Sequence, residues 1–311
     1  MRLNVAYASS EKYAKYAYIS LLSLFVNNKD IEEIYVYYIE ENLKETTKSM
    51  IIQLVNSYKR TIEFIPLNDL CSSISDMSTI GAHHGSMNIY SSLFLTKIKN
   101  VERILAIECD VIVNGSLKEL IDFDLKDNYL AALYIPFPKH NKLYNEKYPW
   151  FINGGISIQD LDKLRKDNSE QRVSKFFEDA TAIEGAETTL YSLYMDNIFP
   201  IPPEYHVTPD MYFFNHKERE YIYGQQGYYS QNDLEKAIKY PVLIHYASSL
   251  YGRPWDKKCD HPRKDIFLKY LDMSPWAGEL EDGDINKRNK LTKFAFKYLP
   301  FSLFLLLRRL I

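Results

Sequence analysis

The sequence has few cysteines, no strong charge bias and no secretion signal at its start. Its three cysteines are far apart and form no Cys-x-x-Cys pair, so neither a zinc site nor a disulfide framework is indicated. The formal net charge of −3 argues against the broad basic surface that sequence-independent nucleic-acid binding requires. The opening residues MRLNVAYASS resemble a strand more than a signal peptide. We therefore expect a cytoplasmic protein that does not bind nucleic acid.

The end of the chain has no acidic residue after Asp284. Its longest apolar run, LPFSLFLLL at 299–307, is shorter than the roughly 20 residues that span a bilayer. Basic and aromatic residues alternate around it: Lys287, Arg288, Lys290, Lys293, Phe294, Phe296, Lys297, Tyr298, Phe301, Phe304, Arg308 and Arg309. This pattern favours a tail that lies in the headgroup region of an anionic membrane. The alternative is a helix that packs on its own domain or on a second copy in a homo-oligomer.

Strand-like and helix-like segments alternate through the first half of the chain. Apolar segments at 3–8, 33–39 and 61–67 are separated by helical patterns at 13–26 and 43–58. Such alternation is typical of βαβ units on a parallel sheet, so we predict an α/β fold.

The next segments are predicted to complete the sheet. A helical pattern at 87–97 leads to VERILAIECD, whose nearly continuous apolar character indicates a central strand covered on both faces. Further on, FINGGISI at 151–158 has the pattern of a strand, and an acidic helical pattern follows at 159–180. We expect the tyrosine-rich stretch at 200–240 to consist mostly of loops.

The predicted central strand ends on two acids, Glu108 and Asp110. Ligands of open α/β sheets bind beyond the carboxyl ends of strands. Carboxylates two residues apart on a strand share a face and repel each other unless a cation lies between them. A later short strand ends at His245, and carboxylates with one imidazole suit Mn²⁺ or Mg²⁺. The alternative is that the acids cap the strand and turn, and that His245 is a hydrogen-bonded core residue.

Three ordered motifs resemble those of glycosyltransferase family 8. RILAIECDVIVNGSLKELIDFDL is similar to the family's Asp-x-Asp segment, FINGGISIQDLDKLR to its Phe-Asn-Ala-Gly segment, and HYASSLYGRPW to its segment ending in Lys-Pro-Trp. The resemblance begins at VAYASSEKY, and it is greatest to bacterial lipooligosaccharide galactosyltransferases and glucosyltransferases. It implies a GT-A fold over 1–265, with a Rossmann-like, mixed but mainly parallel sheet flanked by helices. A basic, aromatic helical tail at 266–311 would follow.

The resemblance also implies an activity. It predicts a metal-dependent, retaining hexosyltransferase that transfers galactose or glucose from a UDP-sugar to a saccharide or glycoconjugate acceptor of the cell surface. The tail would attach the protein peripherally to the inner face of the cell membrane. We expect the loops at 136–150 and 205–230 to contact the acceptor, because loops beside a rigid sheet commonly determine specificity.

The resemblance assigns roles to individual residues as well. Glu108, Asp110 and His245 would hold Mn²⁺ or Mg²⁺, and Arg253 replaces a lysine that reaches the diphosphate. Gly154 and Gly155 would let the donor sugar approach the backbone closely. The remaining nucleotide contacts would come from the first βα loop, Ala8, Ser9 and Ser10, and from Tyr13 and Cys109. For Tyr13 and Arg253 the alternatives are an ordinary helix tyrosine and a surface cation at a turn.

The sequence departs from the family mainly where the sugar should bind. Glu108 replaces the first aspartate of the Asp-x-Asp motif, and Ser92 stands where an arginine is usual. An aspartate expected after the strand LAALYI is replaced by Tyr134 or Ile135. The loss of hydrogen-bonding groups strongly changes which sugars a site accepts, so the donor sugar can differ from the one that the family uses.

The family's Asp-Gln-Asp segment is replaced by Glu187-Thr188-Thr189. We take Glu187, Thr188 and Asn153 as the candidate catalytic residues, although an acid in the first turn of a helix is also ordinary. Two functions remain open: a transferase, or a catalytically impaired relative that binds UDP or a partner glycosyltransferase.

Overall fold

The strands range from three to eleven residues in length. A computed structural model describes the chain at residues 1–72, 87–136, 147, 149–179, 185–224, 226–247, 251–283, 292–295 and 298–310. Its strands are β1 (Arg2–Ser10), β2 (Glu33–Glu41), β3 (Thr61–Pro66), β4 (Arg103–Ile107), β5 (Val111–Val113), β6 (Leu130–Pro136), β7 (Trp150–Asp160), β8 (Ile198–Pro200) and β9 (Leu243–His245).

Seven of these strands form one sheet in the order β3-β2-β1-β4-β7-β6-β8, and β5 pairs with β9 in a separate ribbon. β1 is parallel to β2 and β4, whereas β7 runs antiparallel to β4 and β6. The predicted central strand, β4, is fourth of the seven. Leu105 and Ile107 pack into one core cluster and Ile104 and Ala106 into the other, so β4 is covered on both faces. The prediction of a mixed, mainly parallel sheet is confirmed.

The helices cover both faces of the sheet. They are α1 (Ala14–Asn27), α2 (Glu45–Ser57), α3 (Leu67–Leu70), α4 (Lys118–Ile121), α5 (Leu161–Lys166), α6 (Ser169–Asp179), α7 (Ala186–Tyr194), α8 (Pro209–Phe213), α9 (His216–Tyr223), α10 (Gln231–Lys239), α11 (Lys264–Asp272) and α12 (Phe301–Leu310). Short 3₁₀ turns lie at Glu11–Tyr13, Asn88–Leu93, Leu95–Lys97, Met195–Asn197 and Pro203–Tyr205. In α11, Phe267 and Tyr270 are buried in the same core cluster as α1. The proposed division of the chain near 265 stays a prediction.

Three details differ from the sequence-based predictions. The segment at 87–97 forms two 3₁₀ turns instead of one α-helix, because the backbone leaves helical geometry at Phe94, whose ring is fully buried. The expected loop at Ala8, Ser9 and Ser10 is the end of β1, since the parallel ladder with β2 continues to Ser10.

The third difference is the stretch at 200–240, where mostly loops were expected and the structure has α8, α9 and α10 instead. Two of these helices begin with a capping box, Asn215 with Glu218 and Ser230 with Asp233, which satisfies free backbone groups of the first turn. Short polar helices can therefore form here without a long apolar pattern.

The C-terminal helix α12 packs on the protein itself. The ring of Phe301 lies 6.0 Å from that of Phe214 and 6.1 Å from that of Tyr221, and Phe304 is buried against Phe214. These contacts support self-packing for this part of the tail. Residues 284–291, 296 and 297, which include several of its predicted basic and aromatic groups, lie outside the described residues. Among the described helices, none combines the length and apolar character that a membrane span requires.

Candidate metal and nucleotide site

The two acids that follow β4 meet His245 at the end of β9. The imidazole Nε2 lies 3.1 Å from Glu108 Oε2 and 3.3 Å from Asp110 Oδ1. One ligand atom from each residue lies within 4.8 Å of the others. The prediction that the two acids share a strand face was wrong, because β4 ends at Ile107 and both acids lie in the turn that follows it. Two carboxylates and one imidazole at this spacing fit a divalent cation that prefers oxygen and nitrogen ligands.

The β5–β9 ribbon fixes the relative positions of these residues. Val111 pairs with His245, and the backbone N–H of Tyr246 donates to the Asp110 carbonyl oxygen at 2.8 Å. The Glu108 N–H donates to the Gly155 carbonyl oxygen at 2.9 Å. The backbone of each proposed ligand residue is therefore held in place by hydrogen bonds or strand pairing with a neighbouring segment.

A buried histidine that the sequence analysis missed supports His245. His206 Nε2 lies 3.0 Å from His245 Nδ1, and both rings are buried. A hydrogen bond at one ring nitrogen leaves the other to bind a metal, and here Nε2 is the atom that faces the carboxylates. The sequence shows His206 only as a lone histidine after a Pro-Pro turn, and no spacing connects it to His245.

Arg253 adds a second positive group. Its guanidinium forms an ion pair with Asp110 and donates to the Tyr246 carbonyl oxygen at 2.7 Å. Burial disfavours the Asp110 carboxylate, but His245 and Arg253 outweigh burial and hold the pKa of Asp110 below its usual range. Burial opposes the charged form of His245 too, yet Asp110 and Glu108 raise its pKa to about 10. Without a metal, a protonated His245 and the guanidinium offset the two carboxylates; a divalent cation would replace that proton and bind the neutral imidazole.

Two glycines make room for the site's own side chains. A Cβ on Gly155 would lie 2.3 Å from His245 Cε1 and 2.9 Å from Glu108 Oε2. A Cβ on Gly154 would lie 2.6 Å from Glu187 Cγ. These contacts alone require glycine at both positions, whether or not a sugar approaches them.

The predicted catalytic residues lie at the same edge of the sheet. Glu187, in the first turn of α7, is largely buried, and burial together with the charge of Glu108 raises its pKa. Asn153 Oδ1 accepts a hydrogen bond from the Gly155 N–H at 3.1 Å. Thr188 is half-buried, whereas Thr189 is buried and its hydroxyl donates to the Gly185 carbonyl oxygen at 3.3 Å. Thr189 therefore has a local role in α7.

Some of the residues predicted to contact the nucleotide are hydrogen-bonded within the protein, and others are accessible. The Ser9 hydroxyl is buried and shares a hydrogen bond of 2.6 Å with the Tyr38 hydroxyl, so it does not face a nucleotide. The Cys109 thiol donates to the Ala8 carbonyl oxygen, which joins the ends of β1 and β4. Ser10 and Tyr13 are half-buried at the edge of the sheet where Glu108, Asp110 and His245 converge.

The sequence profile of Glycosyl transferase family 8 matches residues 4–259, a range that contains the whole cluster. The chain belongs to glycosyltransferase family 8. It is 26% identical to a Haemophilus influenzae protein that is provisionally named a glycosyltransferase, over 90% of this chain and 83% of that protein. It is 23% identical to the lipopolysaccharide 1,2-glucosyltransferase of Escherichia coli K12, over 89% of this chain and 80% of that protein.

The fold of this family 8 member matches solved structures. The galactosyltransferase LgtC, in complex with donor and acceptor sugar analogs, aligns with a TM-score of 0.69 at 18% identity. The match covers 93% of this chain and 99% of LgtC. The prediction of a GT-A fold is therefore confirmed.

Proposed function

We propose that the protein is a metal-dependent, retaining hexosyltransferase that moves galactose or glucose from a UDP-sugar to a saccharide acceptor of the cell surface. The observation that carries this proposal is the convergence of Glu108, Asp110 and His245 at the carboxyl edge of the sheet, with Arg253 beside them. Membership of family 8 and similarity to a protein named lipopolysaccharide 1,2-glucosyltransferase support the donor and acceptor classes.

The residues present fit a divalent cation, since two acidic oxygens and one imidazole nitrogen converge and His206 orients that imidazole. When Mn²⁺ or Mg²⁺ is bound there, it supplies positive charge that stabilises the departing diphosphate. Arg253 presents a planar set of donors that suits phosphate oxygens, and it binds the same diphosphate. Ser10 and Tyr13 lie where the nucleoside extends from that diphosphate.

The donor sugar lies beside Glu187, Thr188 and Asn153. A carboxylate at the position of Glu187 accepts hydrogen bonds from sugar hydroxyls or stabilises positive charge at the anomeric carbon. Its raised pKa reflects a largely buried acid next to Glu108, and a cation in the cluster would favour its ionised form. Glu187→Gln tests this role: we expect turnover to fall while UDP binding is retained.

The alternative is a relative that binds UDP without catalysis. It is favoured by one observation: at the end of the segment that replaces Asp-Gln-Asp, Thr189 is buried and bonded within α7. Turnover of a UDP-sugar by the wild type separates the two functions.

We also propose that the tail attaches the protein to an anionic membrane. Phe304 packs inward, but Phe294, Tyr298 and Leu303 expose 58%, 63% and 48% of their surface. Exposed aromatic and aliphatic groups on a basic segment are typical of interfacial attachment.

The first experiment is calorimetric titration of UDP with and without Mn²⁺, on the wild type and on Asp110→Asn. We expect binding that requires Mn²⁺ and is lost in the variant. Asp127→Asn is the matched control, because Asp127 is exposed and precedes β6 at the opposite edge of the sheet. The absence of UDP binding by the wild type in both conditions would refute the donor site.

A further inference from the structure

A narrow cleft lies beside the proposed sugar site, between the end of β6 and helices α8 to α10. Tyr134 and Ile135 of β6 line it, as do Asp210, Arg219 and Glu220. Tyr134 and Ile135 pair with Ile152 and Phe151 of β7, immediately before the candidate catalytic residue Asn153. The cleft is therefore one strand away from the sugar site and at the same edge of the sheet.

Arg219 is the unusual group in this cleft. Its side chain is 8% exposed, and among the residues that the structure describes its guanidinium has no hydrogen-bond or ion-pair partner. Burial disfavours this guanidinium and the nearby charge of Asp210 favours it. None of its nitrogen atoms is both sealed from solvent and unbonded, so its N–H donors keep contact with the water of the cleft. An acceptor that enters the cleft can take the place of that water.

The two acids of the cleft already have partners. Asp210 Oδ1 accepts a hydrogen bond from the Thr208 hydroxyl at 2.5 Å, and Glu220 lies 3.3 Å from His216 Nδ1. Neither acid is within ion-pair distance of Arg219. A planar guanidinium pairs best with a carboxylate or a phosphate, which offers two oxygens to its parallel N–H groups.

The size of the cleft limits what enters it. It offers about 30 Å³ to the centres of water-sized molecules, enough for about two waters or one small anionic group but not for a sugar ring. Tyr228 also lines the cleft; it is 42% exposed and is held edge-on against Tyr134 and Trp150, with ring centroids 5.0 Å from each. A fixed, exposed aromatic ring provides a flat apolar surface for the C–H face of a sugar.

We propose that this cleft is an acceptor subsite for an acidic saccharide: the phosphate or carboxylate of the sugar pairs with Arg219 and the sugar ring lies against Tyr228. The proposal rests on the proposed transferase function and names the class of acceptor that it uses. The acceptor hydroxyl would then approach the donor sugar from the side of Asn153.

The test is a ligand-detected NMR titration in the presence of Mg²⁺ and UDP, with four probes: glucose 6-phosphate, glucuronate, glucose and inorganic phosphate. We expect at least one of the two sugar acids to bind at least tenfold more tightly than glucose, and which of them does so identifies the anionic group. Arg219→Met should reduce that affinity to the level of glucose, and Arg219→Lys, which keeps the charge without the planar donor pair, should give an intermediate value.

Three results would overturn the proposal: equal binding of glucose and both sugar acids, no effect of Arg219→Met, or inorganic phosphate binding as tightly as glucose 6-phosphate, which would indicate a bare anion site. If Arg219→Met does not fold, Tyr228→Ala replaces it, since that ring lies at the surface. It should weaken the binding of the sugar acids and leave that of inorganic phosphate unchanged, and an unchanged affinity for the sugar acids would count against the subsite.

Failure of the donor site is separable from failure of the cleft. Loss of UDP binding with intact, Arg219-dependent binding of sugar acids would refute the transferase function alone. Normal UDP binding without selection for sugar acids would refute the acidic acceptor alone.

Discussion

Arg253 forms an ion pair with Asp110, the same residue that we propose as a metal ligand. Replacing Arg253 with methionine should therefore change two affinities in opposite directions, that for Mn²⁺ alone and that for UDP in the presence of Mn²⁺. A hydrogen bond to a charged group contributes about 1.5–3 kcal/mol, and we take the lower end because Arg253 keeps 23% of its side-chain exposure. The expected change is about tenfold in each affinity, since 1.4 kcal/mol corresponds to a factor of ten. Mn²⁺ alone should bind more tightly, because it no longer competes with a guanidinium. UDP with Mn²⁺ should bind less tightly, because the diphosphate loses a planar donor.

The two affinities are measured separately. Electron paramagnetic resonance of free Mn²⁺ gives the metal affinity without nucleotide, and calorimetry at saturating Mn²⁺ gives the UDP affinity. Arg172→Met is the matched control, because Arg172 makes a similar ion pair with Asp167 near the opposite end of α7 from Glu187. Weaker binding of Mn²⁺ alone to Arg253→Met would show that the guanidinium helps to build the metal site, and the reasoning about competition would be refuted.

Three further predictions concern the metal site, the core and the tail. Gly155→Ala should reduce Mn²⁺ affinity by at least tenfold in the same resonance assay, because the new methyl would lie 2.3 Å from the imidazole of the proposed ligand His245. The control Gly115→Ala meets only Val242, at 3.2 Å from its side chain, and should leave that affinity unchanged. Burial, with a neighbouring arginine, lowers the pKa of His261 to about 4, so the folded protein binds fewer protons than the unfolded chain between pH 6.5 and 4. The free energy of unfolding therefore decreases as the pH falls through this window, by about 2 kcal/mol from pH 7 to 5. Urea unfolding at both pH values should show a smaller decrease for His261→Phe. The double variant Phe294→Ser, Tyr298→Ser should sediment less with anionic vesicles, and unchanged sedimentation would exclude these exposed rings as the membrane contact.

The fold of the first half could be predicted from the sequence because each element has its own periodic signal. β1, α1, β2 and α2 carry apolar residues that alternate or recur with the helical repeat, and the structure places them within a few residues of the predicted bounds. The segment at 87–97 also has a helix-like apolar pattern, but it forms 3₁₀ turns and leaves helical geometry at the buried Phe94, and local periodicity does not show where such a break falls.

Some residues of the candidate site could be predicted from the sequence and one could not. Glu108 and Asp110 are visible because acids are unusual at the end of a buried strand, and His245 follows from its place at the end of another strand. His206 is not visible, because its contact with His245 spans 39 residues and depends on how β9 pairs with the segment before α8. Sequence reasoning found the proposed metal ligands better than the histidine that contacts one of them.

The stretch expected to be loop connects the two halves of the proposed site. His206 contacts the proposed metal ligand His245, and Asp210, four residues later, lines the cleft beside Arg219. Pro209 occupies the first position of α8, where its fixed backbone angle favours the helix, and the Thr208 hydroxyl binds Asp210. A flexible loop would let the proposed metal site and the cleft move independently, whereas a short helix that begins with a proline holds them at a fixed separation, as positioning of a donor and an acceptor requires. The short helices at 200–240 thus carry both core residues, such as Met211 and Leu234, and polar residues of the proposed cleft, and this mixture explains the weak periodicity of the stretch.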